Sequence, residues 1–335
     1  MRVCFVNCRQ DGVDETPLLR NMLTRSRNPG FIEVADPAAA DLILITGILE
    51  KNTFASLRAN RIWQQYPEKS FGYSEVDNVP SFLHGVYASA SRFKGLFNRM
   101  QSGGYPGHRA WRPNSMPPAT FFYETPKLYL FSFIGRKSHS LRKRLFRVTW
   151  PEKDVFVTDR TGEYEHFKNP DQNREKLQAV YWKVMAQSKF ALCPRGAGAS
   201  SIRIFEAMQA GVTPVIISDA WLPAAGPVWK EFAIFVPERK IHQLYDILKS
   251  HESEWMERGK LAEAAYHQWF TDAAAWGQLL AAIQLIRHSQ KLPERWFVRA
   301  RGLIYLFELA HEWRYRLPIR IKQKLRRLKT RLSHD

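Results

Sequence analysis

The sequence has few cysteines, no long apolar run and no standard nucleotide-binding fingerprint. Its three cysteines, Cys4, Cys8 and Cys193, are too few for a disulfide framework, so we expect reduced thiols in a cytosolic protein. No Cys/His cluster completes a metal site around Cys4 and Cys8. No apolar run reaches the length of a transmembrane helix, and the N-terminus turns polar after Val6, too early for a secretory signal. Neither G-x-G-x-x-G nor a Walker loop is present.

Positive charge is concentrated near the end of the chain. The formal net charge is +18, and residues 314–331 carry nine Lys or Arg and no acid. Within 319–332, apolar residues recur at helical spacing among basic ones. Such a helix suits an anionic bilayer, so we expect a peripheral protein on the inner face of the cytoplasmic membrane. The alternatives are a solvated helix docked on its own protein and a nucleic-acid contact.

The rest of the chain is organised around residues 188–219, which read as strand, turn, helix and strand. A buried strand ends at Pro194, and the small residues that follow allow close approach of a ligand to the main chain. Ser200 or Ser201 is expected to cap an amphipathic helix, Gly211 to end it, and residues 212–217 to form the next strand.

A strand, a small-residue turn and a helix N-terminus together make an anion site. Arg195 and Arg203 bracket this turn, and the forked guanidinium suits a diphosphate. Glu206 shares a helix face with Arg203 and can accept two ribose hydroxyls. The alternative is an ordinary βαβ turn with a surface Arg203–Glu206 pair. Arg136 follows another strand–glycine junction and can reach the same diphosphate. Arg142 and Arg144, in the helix after it, fit a solvated basic face better.

Separated positions in this region resemble the carboxy-terminal half of the exostosin-type glycosyltransferases, family 47. The matching residues are Cys193-Pro194-Arg195-Gly196, Ser200, Ser201, Arg203, Glu206-Ala207, Ala210-Gly211, Pro214-Val215-Ile216 and Ser218-Asp219. The resemblance implies an inverting transfer from a nucleoside diphosphate sugar, usually without a metal. The donor-binding candidates are Arg136, Arg195, Gly196, Ser200, Ser201, Arg203 and Glu206.

The resemblance also implies an α/β chain with the GT-B fold, in which two Rossmann-like domains face a central cleft. Apolar runs separated by helical stretches agree with parallel sheets. We expect an acceptor domain over 1–110, a linker over 111–127, a nucleotide-sugar domain over 128–270, and helices with the basic tail over 271–335. The last helices of such enzymes cross back over the first domain.

An inverting transfer also needs a general base, which we expect in the first domain. Asp77 ranks first, Glu75 second, and His84 is a further candidate, since each follows an apolar strand. Asp11, Asp14 and Glu15 in the first loop are weaker candidates, because acidic loop residues more often form turns or caps. Asp219 fits a loop cap better than a base.

The main hypothesis is therefore a metal-independent glycosyltransferase that extends a surface polysaccharide or lipid-linked glycan of bacterial type. No cofactor beyond the nucleotide-sugar substrate is expected, and no nucleic-acid partner. Two alternatives remain: a basic nucleic-acid-binding protein, and a catalytically inactive GT-B scaffold. The sugar, its nucleotide, the acceptor and the oligomeric state stay open.

Overall fold

Two parallel β-sheets with helices packed against them form most of the described chain. The structure is a computed structural model, which describes residues 1–8, 14–48, 54–77, 79–92, 98–107, 116–150, 153–163 and 172–307. The tail predicted at 319–332 lies outside these residues.

The first sheet has six parallel strands in the order β2-β1-β3-β4-β5-β6. The strands are β1 Arg2–Asn7, β2 Ile32–Glu33, β3 Leu42–Thr46, β4 Ser70–Ser74, β5 Gly85–Tyr87 and β6 Met100–Gln101. Every residue of β3 and β4 is buried, as expected for parallel strands covered on both faces. The apolar runs predicted these strands, apart from the two-residue edge strands β2 and β6.

The second sheet has five parallel strands in the order β11-β10-β9-β7-β8. The strands are β7 Tyr129–Gly135, β8 Val155–Asp159, β9 Ser188–Pro194, β10 Thr213–Ile217 and β11 Ile234–Phe235. From β7 the chain runs outward to the edge strand β8, and then returns to β9 on the other side of β7. The strand order therefore reverses between β7 and β9, and ligands of open α/β sheets bind at such a point.

Helices connect and cover the strands. They are α1 Thr16–Arg25, α2 Ala55–Ala59, α3 Arg61–Gln65, α4 Ala119–Glu124, α5 Ser140–Leu145, α6 Gln172–Ala186, α7 Arg203–Gln209, α8 Trp229–Phe232, α9 Leu244–Ser250, α10 Trp255–Trp269 and α11 Ala275–Ser289. A further helix is described over 294–307. The sequence over 54–66 predicts one helical stretch, but the structure interrupts it at Asn60, whose Oδ1 accepts the Trp63 N–H at 2.8 Å and caps α3.

Helix α11 returns from the second sheet to pack on the first. Its Trp276 is buried and makes edge contacts with Phe5 and Phe31, in the core that also holds Leu279 and Ile283. This return is the crossing that the GT-B resemblance implies. It fixes the last helices to the amino-terminal domain.

The carboxyl ends of the two sheets face each other. Asp77, just after β4, and Ser89, just after β5, both lie against Gly198, just after β9. An antiparallel bridge between Ser91 and Trp221 joins the two halves at the same level. Two Rossmann-like sheets that meet across their carboxyl ends constitute the GT-B fold, so the predicted fold class is confirmed. The predicted linker, 111–127, falls between the last strand of one sheet and the first of the other.

Candidate active site

The candidate site lies at the carboxyl ends of β7 and β9, where the strand order of the second sheet reverses. Arg136 directly follows β7, and Arg195 directly follows β9. The Arg195 N–H donates to the Ile217 carbonyl at 3.0 Å, which carries the strand pairing one residue beyond β9. Parallel pairing therefore brings residues distant in sequence to one edge of the sheet.

Side chains from both neighbouring strands hold the turn after β9 in place. Arg142 Nε donates to the Arg195 carbonyl at 3.0 Å, and its Nη2 donates to the Pro194 carbonyl at 2.9 Å. Ser218 Oγ, after β10, donates to the Ala199 carbonyl at 2.7 Å. The interpretation of Arg142 as part of a solvated face is wrong, because Arg142 lies beneath this turn. Arg144, by contrast, is half exposed and 4.0 Å from Glu238.

Polar groups in the turns after β9 and β7 are buried without a hydrogen-bond partner among the described residues. They include Arg195 Nε and Ser200 Oγ after β9, and Ser138 Oγ after β7. A buried donor without a partner costs about 1–3 kcal/mol, so such groups in a native fold call for an explanation. A bound anion would satisfy the guanidinium.

The local potential is strongly positive. Arg136, Arg142 and Arg203 are close enough to affect one another: burial, followed by the charges of Arg203 and Arg136, lowers the pKa of Arg142 to about 9. Burial, followed by the charges of Arg195, Arg142 and Arg144, lowers the pKa of His139 to about 4. His139 is therefore neutral at physiological pH, and its Nδ1 caps α5 by accepting the Leu141 N–H.

Arg203 and Glu206 are joined through Tyr181, on helix α6. The Tyr181 hydroxyl donates to Glu206 Oε2 at 2.5 Å and accepts from Arg203 Nε at 3.2 Å. Arg203 Nη2 also donates to the Ile134 carbonyl at the end of β7, and its guanidinium lies 4.5 Å from the Phe133 ring centre. Arg203 and Glu206 are thus half-buried parts of one network, rather than a simple surface pair. The sequence placed Tyr181 on the apolar stripe of its helix and gave no sign of this contact.

Ser200 and Ser201 are buried, and neither caps the following helix. Helix α7 begins at Arg203 with Ile202 at the N-cap, which makes no side-chain cap, so the predicted serine cap is wrong. Gly211, at φ +63°, ends this helix as predicted. The turn is covered unevenly: Ala197 is exposed and Gly196 is half-buried, whereas 198–201 are buried. Tyr105, from the first half of the chain, packs edge-on against Phe205 above this buried part.

Asp77 is the first-domain carboxylate that borders the glycine turn. It is exposed, and a Cβ atom built on Gly198 would lie 2.4 Å from its Oδ1. Ser89 Oγ donates to the same oxygen at 3.3 Å and lies 3.2 Å from the Tyr105 hydroxyl. Asp77 therefore stands at the cleft with one edge of its carboxylate against the opposite domain.

The other acidic candidates of the first domain already serve as structural acceptors. Glu75 Oε1 accepts the Tyr73 hydroxyl and the Gly107 N–H, each at 2.8 Å. Glu15 is buried and accepts the Glu75 N–H at 3.1 Å, and burial raises its pKa. Asp14 accepts hydrogen bonds from the N–H and hydroxyl of Thr16, the first residue of α1, each at 2.9 Å. Asp11 lies outside the described residues.

Asp219 and Glu238 exchange main-chain and side-chain hydrogen bonds, which is the cap expected of Asp219.

His84 lies at the opposite end of the first sheet from the cleft. It precedes β5, is buried, and stacks on Phe71 at 4.0 Å between ring centres. Its Nε2 is 2.6 Å from the Ser70 carbonyl, and its Nδ1 is 3.0 Å from Gln290 Oε1. His84 is buried at the amino ends of the strands, whereas Asp77 and Glu75 follow the carboxyl end of β4. The structure therefore separates His84 from both acids.

Two further searches of the described residues gave negative results. No group of three or more His, Cys, Asp or Glu side chains is placed to hold a metal ion. No helix there has both the length and the apolar character to cross a bilayer.

The part of the chain that carries the arginine-lined turn is similar to known proteins. Residues 123–251 match the Exostosin GT47 domain. Exostosin-1 of Drosophila melanogaster is 29% identical over 219 residues, which are 57% of this chain and 26% of that protein. A probable glucuronosyltransferase, GUT1, of Oryza sativa subsp. japonica is 37% identical over 173 residues, 49% of this chain and 38% of that protein. The chain thus spans well under half the length of these relatives.

Among solved structures, the lipopolysaccharide outer core galactosyltransferase WaaB aligns over 85% of this chain and 99% of its own, with a TM-score of 0.42 and 12% identity. That score is low, so the GT-B assignment rests on the two facing parallel sheets. The arginine-lined turn lies within the matched residues, whereas Asp77 lies outside them. Residues 123–251 are therefore similar to the Exostosin GT47 domain, and they contain all five strands of the second sheet.

Proposed function

We propose that this chain transfers a sugar, with inversion, from a nucleoside diphosphate sugar to a hydroxyl of a growing polysaccharide or glycolipid. The observation that carries the proposal is the group of arginines at the carboxyl ends of β7 and β9, in which Arg195 Nε is buried without a described partner. A pyrophosphate offers the oxygens and the negative charge that this group requires.

In this proposal the diphosphate lies against Arg136, Arg195 and the main chain at Gly196, on the accessible side of the turn. The Glu206 carboxylate receives the ribose hydroxyls, and Arg203 holds it in position through Tyr181. Ser200 and Ser201 contribute only when the two domains move apart, because the first domain covers them here.

The Asp77 carboxylate is the proposed general base. It removes the proton of the acceptor hydroxyl while the acceptor oxygen bonds to the anomeric carbon from the face opposite the diphosphate. The bond between that carbon and the diphosphate oxygen breaks, and the arginines stabilise the charge that develops on the leaving group. Asp77 is favoured over Glu75 because it is exposed at the cleft, whereas Glu75 already accepts two hydrogen bonds within its own domain.

The proposal also covers the class of donor sugar, the metal requirement and the place where the enzyme acts. One relative is described as a probable glucuronosyltransferase, which supports a hexosyl or uronosyl donor here. The arginines supply the positive charge that a metal would otherwise provide, so we propose a metal-independent transfer. The predicted tail at 319–332 would hold the enzyme at an anionic membrane, on its cytoplasmic face.

Thermal-shift screening of UDP- and GDP-sugars, followed by turnover with glycan acceptors, tests the proposal. The expected result is stabilisation by one nucleotide class. Asp77→Asn should keep that stabilisation and lose at least about a hundredfold in turnover, the usual loss when a general base is removed. Glu75→Gln is the matched control, expected to affect stability more than turnover.

Stabilisation without turnover would indicate the inactive scaffold instead. Absence of stabilisation together with strongly salt-dependent duplex binding would indicate a nucleic-acid-binding protein.

A further inference from the structure

Exposed apolar side chains are concentrated between residues 285 and 307, at the end of the described chain. They are Leu285, Leu292, Trp296, Leu303, Leu306 and Phe307. Trp296, Leu303 and Phe307 are 55%, 68% and 79% exposed. Their spacing of seven and four residues puts them on one face of the helix at 294–307. This face points into solvent in the described structure.

The opposite face of the same helix is firmly attached to the first domain. Phe297 and Val298 are buried, and the Arg99 guanidinium lies 3.4 Å from the Phe297 ring centre. Arg58 lies 3.8 Å from the ring centre of Tyr305. The helix is therefore anchored to the first domain by the apolar and aromatic contacts of its buried face. The exposed stripe lies on the other face of this anchored helix.

The exposed charged side chains within residues 285–307 are all basic. The sequence from 285 to 307 contains a single acid, Glu294, which is fully buried and paired with Arg99. The basic side chains exposed in the same stretch are Arg287, Lys291, Arg295 and Arg299.

Beside the helix is a groove of about 540 Å³, bordered by Arg287, Lys291 and Arg295. Its floor is Phe71, whose ring centre lies 5.2 Å from the Arg287 guanidinium. Glu68 also lines the groove, but its carboxylate accepts the N–H groups of Glu294 and Arg295. An anionic headgroup would therefore meet three cations there.

We propose that this surface, formed by the groove and the outer face of helix 294–307, docks on a bilayer through anionic phospholipid headgroups. The headgroup phosphates lie at the groove, and Trp296, Leu303 and Phe307 enter the interfacial layer. A nucleic acid would satisfy the cations but leave these apolar side chains in water. The inference goes beyond glycosyl transfer, since it holds whether or not the arginine site binds a donor. It also uses a different surface from the basic tail at 319–332.

The test is sedimentation of the full-length protein with vesicles of phosphatidylcholine alone, or of an equimolar mixture with phosphatidylglycerol. Binding is expected with the anionic vesicles and much weaker binding with the neutral ones. Lys291→Gln combined with Arg295→Gln should weaken anionic binding by about thirtyfold. The control pair, Arg144→Gln with Arg147→Gln, changes the net charge equally on the second domain and should weaken it far less.

Quenching of tryptophan fluorescence by brominated phosphatidylglycerol vesicles tests the apolar part. Quenching is expected in the wild type and should fall in Trp296→Phe, which preserves the fold. Leu303→Asp with Phe307→Asp should strongly reduce sedimentation, leaving only the binding that the tail at 319–332 supports, while Leu261→Asp, on the second domain, should not. Wild-type sedimentation of both the double-Gln and the double-Asp variants would overturn the proposal and leave the tail as the only membrane contact. Dissociation of a dimer by the double-Asp variant would overturn it too, because a second copy would then cover the stripe.

Discussion

The carboxylate of Asp77 lies directly against Gly198, so the two domains touch at the candidate site. A Cβ atom at Gly198 would lie 2.4 Å from both Asp77 Oδ1 and Ser89 Oγ, and 2.9 Å from Ser89 Cβ. A larger residue at this position would therefore require the Asp77 and Ser89 side chains of the opposite domain to shift. The contact also explains why the turn beyond Ala197 is covered.

Gly198→Ala should consequently push the domains apart. We expect the free energy of unfolding to fall by about 1–3 kcal/mol, the usual cost of inserting a methyl group into a packed contact. Turnover should fall as well, because Asp77 moves away from the donor. Denaturant unfolding and steady-state assays measure the two effects.

Gly162→Ala is the matched control, since a Cβ there meets nothing within 4 Å. Adding Ser89→Gly to Gly198→Ala should restore part of the stability, because it removes one of the two groups that clash. If Gly198→Ala were as stable and active as the wild type, the close contact between the domains would be wrong.

The second prediction concerns the support beneath the turn. Arg142→Met removes the hydrogen bonds to the Pro194 and Arg195 carbonyls. Hydrogen bonds from a charged group contribute about 1.5–3 kcal/mol, so a loss of about 2 kcal/mol in unfolding free energy is expected, together with weaker nucleotide binding. Arg144→Met should cost less than about 0.5 kcal/mol, because that side chain is exposed. Equal effects of the two substitutions would refute a special role for Arg142.

A third prediction follows from His139. Its pKa in the folded protein is about 4, well below the ordinary value of 6.5, first because of burial and then because of the nearby arginines. Between those two values the unfolded chain binds a proton that the folded protein does not. This imidazole therefore contributes stability that is complete above pH 6.5 and is lost as the pH falls toward 4.

Imidazole NMR titration checks the value directly. A bound nucleoside diphosphate should raise the pKa of His139, because its phosphates offset the positive charge of Arg195. His139→Gln should flatten the acid side of the stability profile. A His139 signal that titrates near 6.5 in the free protein and does not move with nucleotide would contradict the electrostatic description of the site.

The strands and the overall architecture were predictable because fully buried parallel strands leave continuous apolar runs. β4 was predicted at its observed bounds, and the glycine end of α7 was predicted at Gly211. Strand β8 gave too weak a signal, since all five of its residues are only half-buried at the sheet edge. Asparagine is a favoured N-cap residue, so the sequence did indicate a helix start at Asn60. The apolar spacing across Asn60 nevertheless favoured one continuous helix.

The site was only partly predictable from the sequence, because tertiary contacts decide the position and the partners of each arginine. Nothing in the local pattern distinguishes Arg142 from Arg144, yet one lies under the turn and the other reaches solvent. The Ser200 and Ser201 hydroxyls fit the statistics of helix caps, but the turn is held by Ser218 and Arg142 instead. Asp77 and His84 were both predicted to follow apolar strands, but His84 precedes β5, so the structure places the two residues at opposite ends of the sheet.

The central claim is that the arginine-lined turn binds a pyrophosphate, and calorimetric titration tests it most directly. UDP and GDP should be titrated beside their monophosphates into the wild type and Arg195→Ala. We predict that the wild type binds one diphosphate at least about tenfold more tightly than its monophosphate, and that Arg195→Ala removes this difference, since a charged hydrogen bond contributes about 1.5–3 kcal/mol. Equal affinity of the wild type for the diphosphate and monophosphate, or an unchanged preference in Arg195→Ala, would contradict the claim.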